Sequence, residues 1–205
     1  MKMEEQEAII FDLGVVIINL SYQLTQEAFL ALGLENFDEI YSQLAQQSLF
    51  DNYETGKIGS QHFINELLRV APKTISANKI VAAWNAMILN VPVEKIQLLD
   101  QLRTKKRVFL LSNTNDLHME KVRREWSLVS PAPMSYFFEK IYLSHEIGMR
   151  KPNAEIFEFV CSQEGLNPIK TLFIDDTLQH IEGAKSIGLN TVHLKNSEDL
   201  YQLFS

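Results

Sequence analysis

Four short apolar runs recur along this chain, and each ends abruptly on a small or charged polar residue. They are Ala8-Ile9-Ile10-Phe11 before Asp12, Val108-Phe109-Leu110-Leu111 before Ser112, Ile141-Tyr142-Leu143 before Ser144, and Thr171-Leu172-Phe173-Ile174 before Asp175. A strand with one wet face alternates apolar and polar residues. Unbroken apolar runs of this length suit strands buried on both faces, as in a parallel sheet covered by helices. Thr191-Val192-His193-Leu194 is a fifth strand candidate.

Helical patterns separate these runs, over Val93 to Leu102, Asn153 to Gln163 and Thr177 to Ile187, the last followed by Gly188. Strand and helix in alternation predict a Rossmann-like α/β fold with right-handed crossovers. One interval breaks the rhythm. Between Asn19 and about Asn90 only helix-like stretches occur, over Tyr22–Leu32, Phe37–Leu49, Ser60–Leu68 and Ser76–Ile88, divided by Gly33, Gly56, Gly59 and Pro72. The expected organisation is an α/β core of residues 1–18 and 90–205, with an all-helical insert of residues 19–89 after the first strand.

The totals are those of a soluble globular protein: 205 residues, 46% apolar and 22% charged. A formal charge of −7 argues against nucleic acid as a partner, because phosphate backbones need Lys and Arg to neutralise them. Lys105-Lys106-Arg107 and Arg123-Arg124 read as solvated helix ends. The lone Cys161 lies among Phe157, Phe159 and Val160 and reads as a packed core thiol, which fits a reducing compartment. Residues 1–8 show no basic lead into an apolar stretch, and no apolar run is long enough for a membrane span. A cytoplasmic protein with no membrane partner is expected, as a monomer or weak homodimer.

In open α/β sheets, ligands bind beyond the carboxyl ends of the strands. Here those ends carry Asp12, Ser112-Asn113, the loop with Arg150-Lys151, and Asp175-Asp176. Alone, each has an ordinary explanation. An Asp after a strand is commonly a cap or turn residue, and a lysine before Pro152 is commonly solvated. Together they supply a nucleophile, acidic metal ligands, a hydroxyl and a cation, which is the equipment of metal-assisted phosphoryl transfer.

These residues resemble the motifs of the haloacid dehalogenase superfamily. Phe11-Asp12-Leu13-Gly14-Val15-Val16 is similar to its first motif, and Leu111-Ser112-Asn113-Thr114 to its second. Gly148-Met149-Arg150-Lys151-Pro152 resembles the third, and Phe173-Ile174-Asp175-Asp176 with Ile181-Glu182-Gly183-Ala184 the fourth. The likeness is greatest to the branch of bacterial α-D-glucose-1-phosphate phosphatases and the N-terminal phosphatase domain of soluble epoxide hydrolase. Tyr53-Glu54-Thr55-Gly56-Lys57-Ile58 has the style of that branch's helical cap. The resemblance implies a Mg²⁺-dependent phosphatase acting on a small phosphorylated metabolite through an aspartyl-phosphate on Asp12. It further implies metal binding by Asp12, the Gly14 carbonyl, Asp176 and Asp175, the last through water. Ser112 and the Asn113 amide would bind phosphate, and Lys151 would neutralise nucleophile and phosphoryl group.

The pattern breaks at one position. Most phosphatases of this superfamily carry a second Asp two residues after the nucleophile as general acid and base, and here that residue is Gly14. Losing such a catalyst costs roughly 10²–10⁴-fold in rate. Three readings follow. An acidic leaving group, such as the anomeric hydroxyl of a sugar 1-phosphate, needs little protonation. A group elsewhere supplies the proton, with His118, read as an exposed helix residue, and the cap acid Glu54 as candidates. Or the protein binds phosphate compounds or a partner protein without turnover. A haloacid dehalogenase also lacks the second Asp but does not usually keep a paired acid like Asp175-Asp176. The five histidines have no metal-ligand spacing, and the aromatics of the insert read as packing, with Tyr53 and Trp84 able to face a substrate.

Overall fold

A computed structural model describes residues 3–34, 37, 39, 42 and 48–204 of the chain. The strands are β1 (Ala8–Phe11), β2 (Arg107–Ser112), β3 (Lys140–Leu143), β4 (Thr171–Asp175) and β5 (Asn190–His193). They form one sheet in the order β3-β2-β1-β4-β5, every neighbouring pair parallel. The chain leaves β1 toward β2 and β3, then returns to the other side of β1 for β4 and β5. That reversal opens a crevice at the carboxyl end of β1.

Side chains of a strand point alternately to opposite faces, so the unbroken apolar runs serve two cores at once. Ile9, Phe11, Val108, Leu110, Leu172 and Ile174 face one, under α5 (Val93–Leu102) and α6 (Asp116–Val129). Ile10, Phe109, Leu111 and Phe173 face the other, under α9 (Ala154–Glu164) and α10 (Leu178–Ser186). Cys161 is buried in this second core, as its sequence neighbours indicated.

A helical lobe lies between β1 and α5. It contains α1 (Tyr22–Ala31), α2 (Leu49–Glu54), α3 (Ser60–Val70) and α4 (Ala77–Trp84), followed by a 3₁₀ turn over Asn85–Met87. Its own core is rich in aromatics, with Phe50, Tyr53 and Trp84 packed around Phe63 and with Phe29 stacked on Phe37. The two connections to the α/β layer pair with each other: Leu20 bridges Ile88, and Asn19 exchanges backbone bonds with Asn90 and Leu89 at 3.0 Å each. Most of the stretch Phe37–Leu49, including Tyr41, lies outside the described residues.

Helix α6 was not expected from the apolar pattern. Its buried stripe is only His118, Met119, Val122 and Trp126, and six of the other ten residues are charged. Asn115 caps it, accepting from the His118 amide at 3.0 Å. Arg123 and Arg124 are therefore solvated residues of a helix interior rather than of its end. The short α7 (Met134–Phe137) and α8 (Ser144–Ile147) flank β3, and α11 (Asp199–Gln202) ends the described chain. No helix among the described residues is long and apolar enough to cross a membrane.

Candidate active site

Sheet register assembles the acidic end. Phe11 pairs with Leu110 on one side and Ile174 on the other, so the next step along each strand brings Asp12 beside Leu111 and Asp175. Carboxylate oxygens of Asp12, Asp175 and Asp176 lie within 4.8 Å of one another. Lys151 reaches this cluster from the loop after α8 and is 0% exposed. Its Nζ donates to Asp12 Oδ1 and to Asp175 Oδ2, both at 2.6 Å. The reading of Lys151 as a solvated lysine is thus overturned: with its ammonium taken from water, only the two carboxylates balance its charge.

Each member is held by hydrogen bonds from residues inside and outside the motifs. The Asn113 side chain clamps the Lys151 backbone, its Nδ2 donating to the Lys151 carbonyl and its Oδ1 accepting from the Lys151 amide, each at 2.9 Å. Asp175 Oδ1 accepts from the Thr177 amide at 2.8 Å, and His180 Nδ1 lies 3.0 Å from both carboxylate oxygens. Ser144 fixes the second-motif loop, accepting from the Thr114 amide at 2.9 Å and donating to the Thr114 carbonyl at 3.1 Å. His180 and Ser144 carry no recognisable spacing. Only the strand-end position of Ser144 hinted at a role.

Electrostatics follow from this packing. Burial works against the Asp175 charge, but Lys151 and His180 outweigh it and hold the carboxyl down to about 2. Burial pushes Asp12 up to about 6, with Lys151 opposing and the Asp175 charge adding to the rise. Asp176 is raised by burial and by Asp175, and Lys151 is raised because its two carboxylates outweigh desolvation. Three carboxylates facing one ammonium leave an excess of negative charge. That excess and the hard oxygen donors fit a divalent cation such as Mg²⁺.

The loop after β1 completes this end. Val15 takes a left-handed backbone conformation, φ 61°, which a β-branched residue adopts only under constraint. The turn aims the Gly14 carbonyl at the Val16 amide, 2.6 Å away. A Cβ at Gly14 would stand 2.5 Å from Leu20 Cδ1. Leu20 thus occupies the space where a side chain at position 14 would begin.

Residues 6–188 match the haloacid dehalogenase-like hydrolase family. The chain belongs to that family. It is 30% identical over 194 residues to a D-ribitol-5-phosphate phosphatase of Bacteroides thetaiotaomicron, covering 95% of this chain and 94% of that protein. A HAD family enzyme from Bacteroides thetaiotaomicron superposes with a TM-score of 0.92 at 35% identity, over 98% of both chains. A wild-type structure of a HAD family enzyme from the same organism, in complex with magnesium and inorganic phosphate, gives 0.89 at 36%, over 98% of this chain and 100% of that one.

In this HAD hydrolase a cleft of about 610 Å³ opens between the acidic end and the helical lobe. Leu13, Gly14, Ser112, Asn113 and Thr114 form its core wall, and Tyr22, Gln23, Thr25, Gln26, Glu54 and Trp84 its lobe wall. Of the two aromatics expected to be able to reach a substrate, Trp84 lines the cleft. Tyr53 is 1% exposed and points instead to Ser60 and the Leu117 amide.

The two candidate proton donors separate here. His118 is not exposed, as the sequence reading had it, but 9% exposed and stacked on Trp84. Nε2 lies 3.2 Å from the Trp84 carbonyl and Nδ1 lies 3.2 Å from Asn115 Nδ2. Burial brings the ring down to about 4, so it is neutral with both nitrogens engaged. Glu54 ends α2 inside the cleft, its Oε2 3.0 Å from Arg150 Nη2. The loop after it is pressed onto the core, because a Cβ on Gly56, φ 67°, would stand 2.2 Å from the His145 carbonyl oxygen.

Proposed function

We propose that this chain is a Mg²⁺-dependent phosphatase of a small phosphorylated polyol or sugar, acting through an aspartyl-phosphate on Asp12. The observation that carries the reading is the buried Asp12–Lys151–Asp175 network beside Asp176, adjoining through Leu13, Gly14, Ser112 and Asn113 a metabolite-sized cleft. The ribitol-phosphate phosphatase relative and the magnesium and phosphate complex of the structural neighbour support it.

Roles follow from which lone pairs are free. Asp175 spends both oxygens on Lys151, Thr177 and His180, so we assign it to positioning Lys151, with any contact to the ion passing through water. Asp12, Asp176 and the Gly14 carbonyl would then hold Mg²⁺, which when bound offsets the charge between carboxylate and phosphate. Asp12 attacks phosphorus, the ester bond to the alcohol breaks, and water later cleaves the aspartyl-phosphate. Ser112 and the Asn113 amide receive the phosphate oxygens, and Lys151 neutralises the transferring group.

The lobe wall sets the rest. Tyr22, Gln23 and Gln26 offer uncharged hydrogen-bonding groups suited to a hydroxylated chain, over a floor of Leu20, Ile88 and Trp84. We propose that residues 19–89 act as a cap hinged at the paired segments around Asn19 and Asn90, closing the site against water. A sugar 1-phosphate is the second reading. Gly14 favours it, since an anomeric hydroxyl leaves without a strong acid.

Phosphate release from an aryl phosphate, with and without Mg²⁺ and beside Asp12→Asn, tests the activity. Equal release by both proteins would refute it. A panel of ribitol 5-phosphate, glucose 1-phosphate and glucose 6-phosphate then separates the substrate classes, with the largest kcat/KM expected for ribitol 5-phosphate. Preference for glucose 1-phosphate would favour the second reading.

A further inference from the structure

We infer that Glu54, on the helical lobe, is the group that protonates the leaving alcohol and later deprotonates the attacking water. This assignment rests on the phosphatase activity proposed above. Three observations lead to it. Gly14 has no side chain, and Leu20 fills the adjoining space, so the usual acid has neither atoms nor room. His118 also borders the cleft, but its ring is neutral, stacked on Trp84 and engaged at both nitrogens. Among the described residues Glu54 is the acid of the lobe wall, in the same cleft as Gly14, Ser112 and Asn113.

Its surroundings suit both halves of the reaction. Facing it are Arg150 and Lys151 from the loop after α8 and Tyr22 from α1. Its own helix contributes Asp51, which shares Arg150. Arg150 fixes Oε2, leaving Oε1 to carry the proton. Burial pushes Glu54 up to about 7, with Lys151 pulling the other way. A carboxyl balanced near neutrality can give a proton in one step and take one in the next. Tyr22, a largely exposed residue whose hydroxyl is pushed up to about 12 by partial desolvation and by Asp176, Asp12 and Glu54, stays protonated throughout.

The steps balance. As Asp12 Oδ bonds to phosphorus and the P–O bond to the alcohol breaks, the Glu54 proton passes to the departing oxygen. The Glu54 carboxylate then takes a proton from water as that water's oxygen bonds to phosphorus and Asp12 is released. The acid and the free nucleophile are both restored.

The test compares leaving groups. Glu54→Gln keeps the shape and a hydrogen bond to Arg150 but cannot donate. With Mg²⁺ and ribitol 5-phosphate its kcat falls roughly 10²–10⁴-fold, whereas p-nitrophenyl phosphate, whose nitrophenolate departs unprotonated, loses far less in the phosphorylation step. The alkaline limb of the wild-type kcat profile near pH 7 disappears in the variant. Asp51→Asn, which loosens Arg150 but leaves the Glu54 carboxyl in place, leaves the ratio of the two substrates unchanged. Single-turnover measurement isolates phosphorylation from water attack. An equal fall for both substrates, or an unaltered pH limb, would overturn the role of Glu54. Failure of the wild-type protein to release phosphate from either substrate would instead remove the phosphatase reading beneath it.

Discussion

Behind the core wall of the cleft, charges are buried and satisfy one another. Lys151 and Asp175 are each 0% exposed, and their bonds leave little freedom to move. On the lobe wall the described groups include a phenol, amides, an indole and the Glu54 carboxyl, which is tied to the core through Arg150. The core wall therefore recognises charge, the property common to every phosphate ester. In the proposed reaction the lobe wall would recognise the remainder of the molecule and, through Glu54, govern the protonation of its oxygen. A rigid ionic half and a replaceable polar half divide chemistry from specificity.

The sharpest way to break this division is at Asp12. Asp12→Asn retains the shape of the core wall but removes the nucleophile, and phosphate release is expected to fall on the order of 10⁴–10⁶-fold, as for other covalent catalysts. The fall should be equal for every substrate, measured by phosphate release with saturating Mg²⁺. A substrate-dependent loss would mean that the lobe wall shares the nucleophilic chemistry.

Lys151→Ala strikes the same wall through its stability. It leaves Asp12 and Asp175 buried without their cation, which costs about 3–5 kcal/mol of folding stability. Urea denaturation should show it, and added Mg²⁺ should recover more of the loss here than it adds to the wild-type protein. No recovery would separate the cation site from this carboxylate pair.

His118 tests the seam between the walls. Its ring is neutral when folded and takes a proton below its ordinary 6.5 when unfolded, so the unfolded chain binds the extra proton. Stability from this residue is present above 6.5 and is lost as pH falls toward 4, by about 3 kcal/mol in all. His118→Gln should narrow the difference in unfolding free energy between pH 7 and pH 4 by that amount. An unchanged difference would show that the ring is protonated in place.

The smallest effect belongs to the lobe wall alone. Tyr22→Phe removes one uncharged hydrogen-bonding group, worth about 0.5–1.5 kcal/mol. A rise of a few-fold in KM for ribitol 5-phosphate is expected, with the KM for an aryl phosphate unchanged. A loss shared by both substrates would place the hydroxyl on the phosphate rather than on the polyol.

Most of the fold was legible because burial on both faces writes an unmistakable pattern. Ala8–Phe11 and Val93–Leu102 fall where the sequence reading puts them, and the other strands differ at their ends by a residue or so. Helix α6 was not legible, since a single narrow stripe on a charged helix resembles a solvated segment. At the site, Asp12, Ser112, Asn113, Lys151, Asp175 and Asp176 all lie at one end of the sheet, as their strand-end positions imply. The likeness found, however, is to a ribitol-phosphate phosphatase, and the family motifs themselves do not name a substrate.

By itself the sequence determined which residues stand at the strand ends, because strand length and polarity are local properties of the chain. Only the tertiary structure decided what those residues do to one another. The Asn113 side chain holds a backbone 38 residues away, and Lys151 reaches a carboxylate 139 residues distant. Both His118 and Glu54 came to border the cleft, but the His118 ring is stacked on Trp84 with both nitrogens engaged, while Glu54 is tied at one oxygen to Arg150. Burial and pairing are set by contacts remote in sequence, and those contacts fix whether a group in this site holds, gives or keeps its proton.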